Sequence, residues 1–396
     1  MSIRTKIARL VVAATGVGLM LIPVGLGGPA GADAERAYPI TVMTRNIYLG
    51  ADIQRPLRAT AGLQGPAALV ALGHANHETR AIVDETNFPR RSELLAEEIA
   101  AVRPELVALQ EVALWRHGPL ELDEVGVPDA ETVDYDFLAI LLQDLREAGV
   151  PYKAVSVQRE TDLEAPSFLG SPFDGSLSDA SDVRLTMRDV ILMKAADGHF
   201  KVVGQGGAQY AHQLTVSLAG QAVPVPRGYT WVDVRVDSRQ LRFVDTHLEA
   251  FSSTIALLQA GELLAGPAGE ADRTTIVACD CNSDPLDGNR YDGRTEHFAP
   301  YRLIRSAGFA DTWLAQPDPG DGFTSGFSEL VTDPTNASID HRIDMVFART
   351  APGDRLSVLG GEVTGVQPED RDPVTGLWPS DHGGVVMRLE GLAPAS

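Results

Sequence analysis

Thr275–Asn282 reads TIVACDCN. An apolar run from Thr275 to Ala278 leads without a break into Cys279, Asp280, Cys281 and Asn282. Such a run, with no polar alternation inside it, is the pattern of a strand buried on both faces. Its polar end matters because strand termini are where a layered α/β sandwich gathers side chains that are distant in sequence around one cleft. The same grammar recurs outward along the chain. Upstream it occurs in TVMTRN ending at Asn46, LVALQE ending at Glu111 and LRFVDTH ending at His247. Downstream it occurs in RIDMVF with Asp344, and in SDH with Asp381 and His382, followed by GVVMRL.

Between these clusters the pattern alternates. Ile40 to Thr44 reads as a first strand, and Asp52 to Phe88 as a partly helical excursion. Ser92 to Val102 carries Leu94, Leu95, Ile99 and Val102 at helical spacing, Pro104 stops it, and Leu106 to Leu109 forms a buried strand. A second helix-then-strand unit is predicted at Phe137 to Ala148 and Tyr152 to Gln158, then an acidic, Gly/Ser-rich loop from Thr161 to Asp182 and a strand at Arg188 to Lys194. Thr230 to Val236 and Leu241 to Asp245 flank Asp237-Ser238-Arg239 as a hairpin. Hairpins mixed with helix-strand units imply an α/β sandwich of mixed sheets covered by helices, not a purely parallel doubly wound sheet.

The first residues read as an address. Arg4, Lys6 and Arg9 precede an apolar run from Leu10 to about Gly28, then Ala32-Asp33-Ala34, so residues 1–34 are expected to be a cleaved secretory signal, with an uncleaved anchor as the rival reading. No later segment is apolar enough to span a bilayer. Residues 35–396 are expected to form one domain of a secreted, monomeric protein, since the polar clusters span nearly its whole length and no repeat or linker interrupts them. The formal net charge of −21 argues against a nucleic-acid-binding module, because such a surface repels polyanions unless a metal or a local basic groove intervenes. Cys279 and Cys281, two apart in a strand, should face one way as buried free thiols, since a disulfide between them would need distorted backbone.

The ordered set Asn46, Glu111 in LQE, His247 in THL, Asp280 and Asn282 in DCN, Asp344 in RID, and Asp381-His382 in SDH resembles the endonuclease/exonuclease/phosphatase superfamily, from about residue 38 to 390. That group includes deoxyribonuclease I, abasic-site endonucleases, sphingomyelinases and inositol polyphosphate 5-phosphatases. The resemblance implies a four-layer α/β sandwich, two mixed β-sheets packed face to face with helices outside, and a metal-dependent phosphodiesterase. One departure is Cys279, where relatives usually have a glycine before the aspartate.

The resemblance also implies roles. Glu111 would hold Mg²⁺, with Mn²⁺ and Ca²⁺ as alternatives, helped by Asn46 and with Asp381 as an acid on the metal side; Mg²⁺ is typically held by one or two carboxylates plus substrate phosphate. Asp280 would orient or deprotonate the attacking water, and the Asn282 amide would donate to a phosphoryl oxygen as its charge grows. His382, paired with Asp344, would stabilise the pentavalent state, and His247 would be the acid toward the leaving oxygen. Arg188, opening the run RDVILMK, would sit near the phosphate. The leading expectation is a secreted Mg²⁺-dependent phosphodiesterase acting on phospholipid head groups or small phosphodiesters. The alternatives are an extracellular nuclease resembling deoxyribonuclease I, which requires an Arg/Lys strip beside the cleft, and a catalytically inactive binding protein on the same scaffold.

Overall fold

The computed structural model describes residues 38–195, 198–236 and 239–394. The segment 1–34 and the Asp237-Ser238 turn lie outside the described residues. The TIVACD run forms the strand Thr274–Asp280, all of it buried. It runs parallel to Arg239–His247, with His247 opposite Asp280, and antiparallel to Asp344–Arg349, where Asp280 faces Asp344 in register. Gly228–Val236 and Phe200–Gln209 extend one edge of this six-stranded sheet and Ala310–Asp311 the other.

The second large sheet has eight strands and is built the same way. Tyr38–Asn46 runs parallel to Leu106–Gln110, and its other side pairs antiparallel with Gly384–Pro394. Each sheet therefore holds one parallel pair, whose two C-terminal ends must emerge at the same edge. The alternation of strand side chains then makes the layers. Leu106 and Ala108 face Ile276 and Ala278 in the core between the sheets. Val107 and Leu109 face the helices Phe88–Val102 and Phe137–Glu147, whereas Val277 and Cys279 face Ser253–Ala265 and Ala299–Ser306. The result is the four-layer sandwich of two mixed sheets between helices.

Two expectations need correction. Thr161–Asp182 is not a loop: Tyr152–Leu169 and Ser178–Lys194 are long antiparallel partners, so the turn is confined to about 170–177. Cys279 and Cys281 are not free thiols but form a disulfide, with both residues fully buried. In an extended strand, residues two apart lie roughly 6.5 Å from each other; here the strand ends at Asp280 and the Cα atoms close to 5.1 Å. That is within the range a disulfide spans. Because the ring encloses only Asp280, opening it should cost about 1–2 kcal/mol of chain-entropy stabilisation. Thiol titration of the denatured, unreduced protein should find no free thiols, and Cys279→Ser with Cys281→Ser should lower the melting temperature by a few degrees; two titratable thiols would overturn the assignment.

Among the described residues, no helix is long and apolar enough to cross a membrane. The stretch Asp52 to Phe88 is more helical than its composition suggested, with Arg55–Thr60 followed by Gly65–Glu85.

Candidate active site

The C-terminal ends of the two parallel pairs meet in a cleft of about 990 Å³ lined by Glu111, His247, Asp280, Asn282, Asp381 and His382 among others. Buried arginines fasten the segments that carry them. Arg91 donates to the carbonyls of Ile47, Tyr48 and Pro379, tying the ends of two strands to one helix. Arg45 donates to the His382 carbonyl and pairs with Glu98 at 3.0 Å. Arg91 makes four directional bonds from its fork and Arg45 two, a clamping that a planar guanidinium suits better than an ammonium would.

Asp280 is the hub. Its Oδ2 accepts from Asn46 Nδ2 at 3.0 Å and lies 3.4 Å from His247 Nε2 and 3.8 Å from His382 Nδ1, while Oδ1 accepts the Asn282 backbone N–H at 3.1 Å. Burial and the neighbouring Asp344 carboxylate push its pKa up to about 7. A base poised there matches neutral pH, where protonation state and driving force for proton transfer are best balanced.

His382 Nδ1 lies 2.8 Å from Asp344 Oδ2, which leaves Nε2 for the cleft. Burial opposes charge on this ring, but Asp344, Asp381 and Asp280 outweigh it and raise the pKa well above the usual imidazole value. Ring orientation is fixed from behind, since Thr324 Oγ1 accepts the Asp344 N–H and Ser380 Oγ accepts the His382 N–H. His382 is thus held as an imidazolium with one N–H directed to the cleft.

His247 is the opposite case. Arg227 Nη1 sits 2.9 Å from its Nδ1, and a guanidinium can only donate, so Nδ1 accepts and the ring's hydrogen is on Nε2, toward Asp280. Burial, then Arg227 and His382, pull its pKa well below the usual value. His247, expected to be the acid toward the leaving oxygen, is placed with its Nε2–H toward Asp280 at 3.4 Å.

Three other expectations change. Arg188 does not face the phosphate site; its guanidinium donates to the Val112 and Ala113 carbonyls at 2.9 and 3.1 Å and pairs with Asp136 at 2.6 Å, bracing the loop that follows Glu111. Asn46 is fully buried, with Oδ1 accepting from the Tyr48 N–H and Nδ2 given to Asp280, so it orients the aspartate and does not ligate from the cleft wall. Asn282 lies two residues past the end of the strand Thr274–Asp280; it gives one amide hydrogen to the Leu248 carbonyl at 2.9 Å and keeps the second for the cleft it lines.

Sequence reasoning missed Arg227, Tyr48 and Glu329, which also line the cleft. Arg227 lies in PVPRG, a stretch with no regular pattern to mark it. Tyr48, in the left-handed conformation (φ 58°), donates its hydroxyl to the Glu329 carbonyl, and Glu329 is held by both guanidinium-side contacts of Arg55 at 2.8 Å.

The donor set fits a hard divalent cation. Glu111 uses one oxygen to accept the Leu49 N–H, and Asp381 stands near enough that Glu111's charge, after burial, helps raise the Asp381 pKa to about 6. Two carboxylates set close together at a polar cleft are an oxygen-donor arrangement that a cation relieves. Asp280, Asp344 and His382 also cluster closely enough to share an ion; there Asp344 Oδ2 is given to His382 Nδ1, while Asp344 Oδ1 is buried without a partner.

No family model and no curated protein matches the chain. Among solved structures, humanized D. rerio TDP2 is 14% identical, with 89% of this chain and 99% of that one covered at a TM-score of 0.50. A family protein from Leptotrichia buccalis C-1013-b is 15% identical over 89% and 99% (TM-score 0.48), and one from Beutenbergia cavernae DSM 12333 is 23% identical over 90% and 73% (TM-score 0.48). With two mixed sheets face to face, a site at their shared edge and this likeness, the chain has the endonuclease/exonuclease/phosphatase fold.

Proposed function

We propose that this protein is a metal-dependent phosphodiesterase, exported from the cell. The observation that carries the reading is one constellation at the cleft: Asp280 beside Asn46 at 3.0 Å and His382 at 3.8 Å, with the His382 Nδ1 held by Asp344 at 2.8 Å; burial and its neighbours push Asp280 up to about 7, and the surrounding carboxylates raise His382 well above the imidazole range. Pairs of titratable groups pushed apart in this way are how one site supplies base and acid together. Asp280 takes the proton of an attacking water. The His382 Nε2–H and the free Asn282 amide hydrogen donate to oxygens around phosphorus as negative charge develops there. Glu111 and Asp381 would hold the cation, which supplies positive charge next to a phosphoryl oxygen. Export is supported by the Ala32-Asp33-Ala34 exit of the apolar leader and by a disulfide, which suits an oxidising compartment.

A nuclease reading is weaker. Among the described residues lining the cleft, Arg227 is the one arginine or lysine, and it is already engaged by His247; no basic strip is available to track a polyanionic backbone.

The test is release of p-nitrophenolate from bis(p-nitrophenyl) phosphate by the full chain with Mg²⁺, with EDTA, and with Mg²⁺ restored. Hydrolysis that EDTA abolishes and Mg²⁺ or Mn²⁺ restores is expected. Hydrolysis indifferent to EDTA would remove Glu111 and Asp381 from their assigned role, and none under any condition would return the site to a binding function.

A further inference from the structure

A second cavity lies beside the catalytic cleft, and Ile53, Gln54, Thr161, Val225 and Phe251 belong to the walls of both. Its origin can be traced from sequence. Leu214–Leu218 and Gln221–Val225 pair as a two-stranded hairpin apart from the two large sheets. Along the first strand Leu214, Val216 and Leu218 are half-buried while Thr215 and Ser217 are exposed. An isolated two-stranded hairpin is not stable in water, so this apolar stripe must rest on something. It covers the helix Arg55–Thr60 and the hairpin of Tyr152–Leu169 with Ser178–Lys194, and the chamber is the space left between them.

The lining is chemically uniform. Apart from Gln54 at the junction, its polar side chains are satisfied from within the protein: Asn76 donates to the Pro166 carbonyl at 2.8 Å, Thr79 to Ala75 at 2.8 Å and Thr161 to Pro226 at 3.0 Å. No charged residue lines it. A base or a sugar placed there would leave its donors and acceptors unpaired, at a cost of roughly 1–3 kcal/mol per group. A saturated chain carries no such groups and gains from every buried methylene. Leu163 and Phe251, 38% and 36% exposed, stand at the rim, where an apolar chain would enter.

We propose that this chamber holds the alkyl chain of the phosphodiester cleaved beside it, so that the substrate is a phosphodiester lipid. The inference rests on the phosphodiesterase reading of the cleft. The shared wall is what commits the occupant: a chain seated among Leu163, Val216 and Leu218 lies against Phe251 and Val225, which also border the cleft holding Asp280.

The experiment is a kinetic series of methyl, butyl, octyl and dodecyl p-nitrophenyl phosphate, below micelle-forming concentrations, with Mg²⁺ and the full chain. KM is expected to fall by about two- to fourfold per methylene until the chamber is full. Ala165→Trp, which fills the chamber from its floor, and Leu218→Trp, which fills it from the hairpin, should each flatten that dependence, so that misfolding of one does not decide the matter. A binding arm independent of turnover uses bromododecyl phosphate in EDTA: it should quench wild-type tryptophan fluorescence saturably, and the quench should vanish in Trp115→Phe, because Trp115 lines the chamber. Hydrolysis of the methyl ester with KM indifferent to chain length would overturn the lipid inference and leave the phosphodiesterase intact. Failure to hydrolyse even the methyl ester would overturn the phosphodiesterase reading and this inference with it.

Discussion

His382→Ala is expected to lower kcat on bis(p-nitrophenyl) phosphate by roughly 10²–10⁴-fold, the range for losing a positioned acid or charge donor in the transition state, with KM nearly unchanged. The geometry sets the direction. The ring's Nδ1 is given to Asp344 at 2.8 Å, so only Nε2 meets substrate, and that contact strengthens as negative charge grows on the oxygens around phosphorus. A matching signature is expected in the pH profile. Asp280, pushed up to about 7 by burial and Asp344, must be ionised to accept a proton, so the rate should rise through that region; His382, raised well above the imidazole range, must be protonated, so the rate should fall again at higher pH. The alanine variant should lose the alkaline limb and keep the acid one. Stability has its own sign. A histidine whose folded pKa exceeds the unfolded ~6.5 contributes stability that is fully present below that value and lost as pH rises through the folded one. Urea denaturation should therefore show the variant more destabilised at pH 6 than at pH 10. An alkaline limb that persists without His382 would assign the acid to another residue.

Much of this was legible because burial on both faces writes a strand as a continuous apolar run, and a functional strand end writes itself as the polar break after it. TIVACD, LVALQ and LRFVDTH all became buried strands ending at one edge. What failed did so for reasons of the same kind. Thr161–Asp182 was read through its acidic and Gly/Ser content, yet Asp162, Leu163, Glu164 and Ala165 alternate with period two, as a strand at a half-exposed sheet position should. Arg188 was read as opening a strand beside the phosphate, but the strand begins at Ser178, and a sequence does not show which way an arginine's long stem turns. Asn46 marks a strand end correctly, but whether its amide meets the cleft or the neighbouring Asp280 depends on a contact 234 residues away. The disulfide was excluded by assuming that the strand continues through Cys281; it ends at Asp280, between the two cysteines.

Arg227→Met carries the other large expected effect. Arg227 is 6% exposed and faces Glu249, Glu160, Glu111 and Asp189, whose charges outweigh the burial that would otherwise lower its pKa. Beneath the cleft these acids are crowded. Burial pushes Glu160 up to about 7 even with Arg227 present, and burial together with Glu160 raises Asp189 well above the carboxylate range; burial and Asp189 do the same to Asp245. Removing one partner of a buried charge constellation costs about 3–5 kcal/mol, because the remaining charges are left uncompensated. The loss should depend on pH. A carboxyl whose folded pKa lies above its unfolded ~4.3 contributes stability that is fully present below the unfolded value and lost as pH rises through the folded one. Without Arg227 the folded pKa of Glu160 moves further up, so the penalty should be largest near pH 8 and shrink toward pH 5, where the acids take up protons. The second consequence is catalytic. With no donor at Nδ1, His247 is free to shift its hydrogen away from Nε2, and Asp280 loses one of the contacts that hold it. Arg227→Lys, which keeps the charge but not the fork, should recover most of the stability and less of the turnover. A denaturation penalty that is the same at pH 5 and pH 8 would mean that Arg227 is held for its packing, and that the acids beneath the cleft are balanced by one another through shared protons.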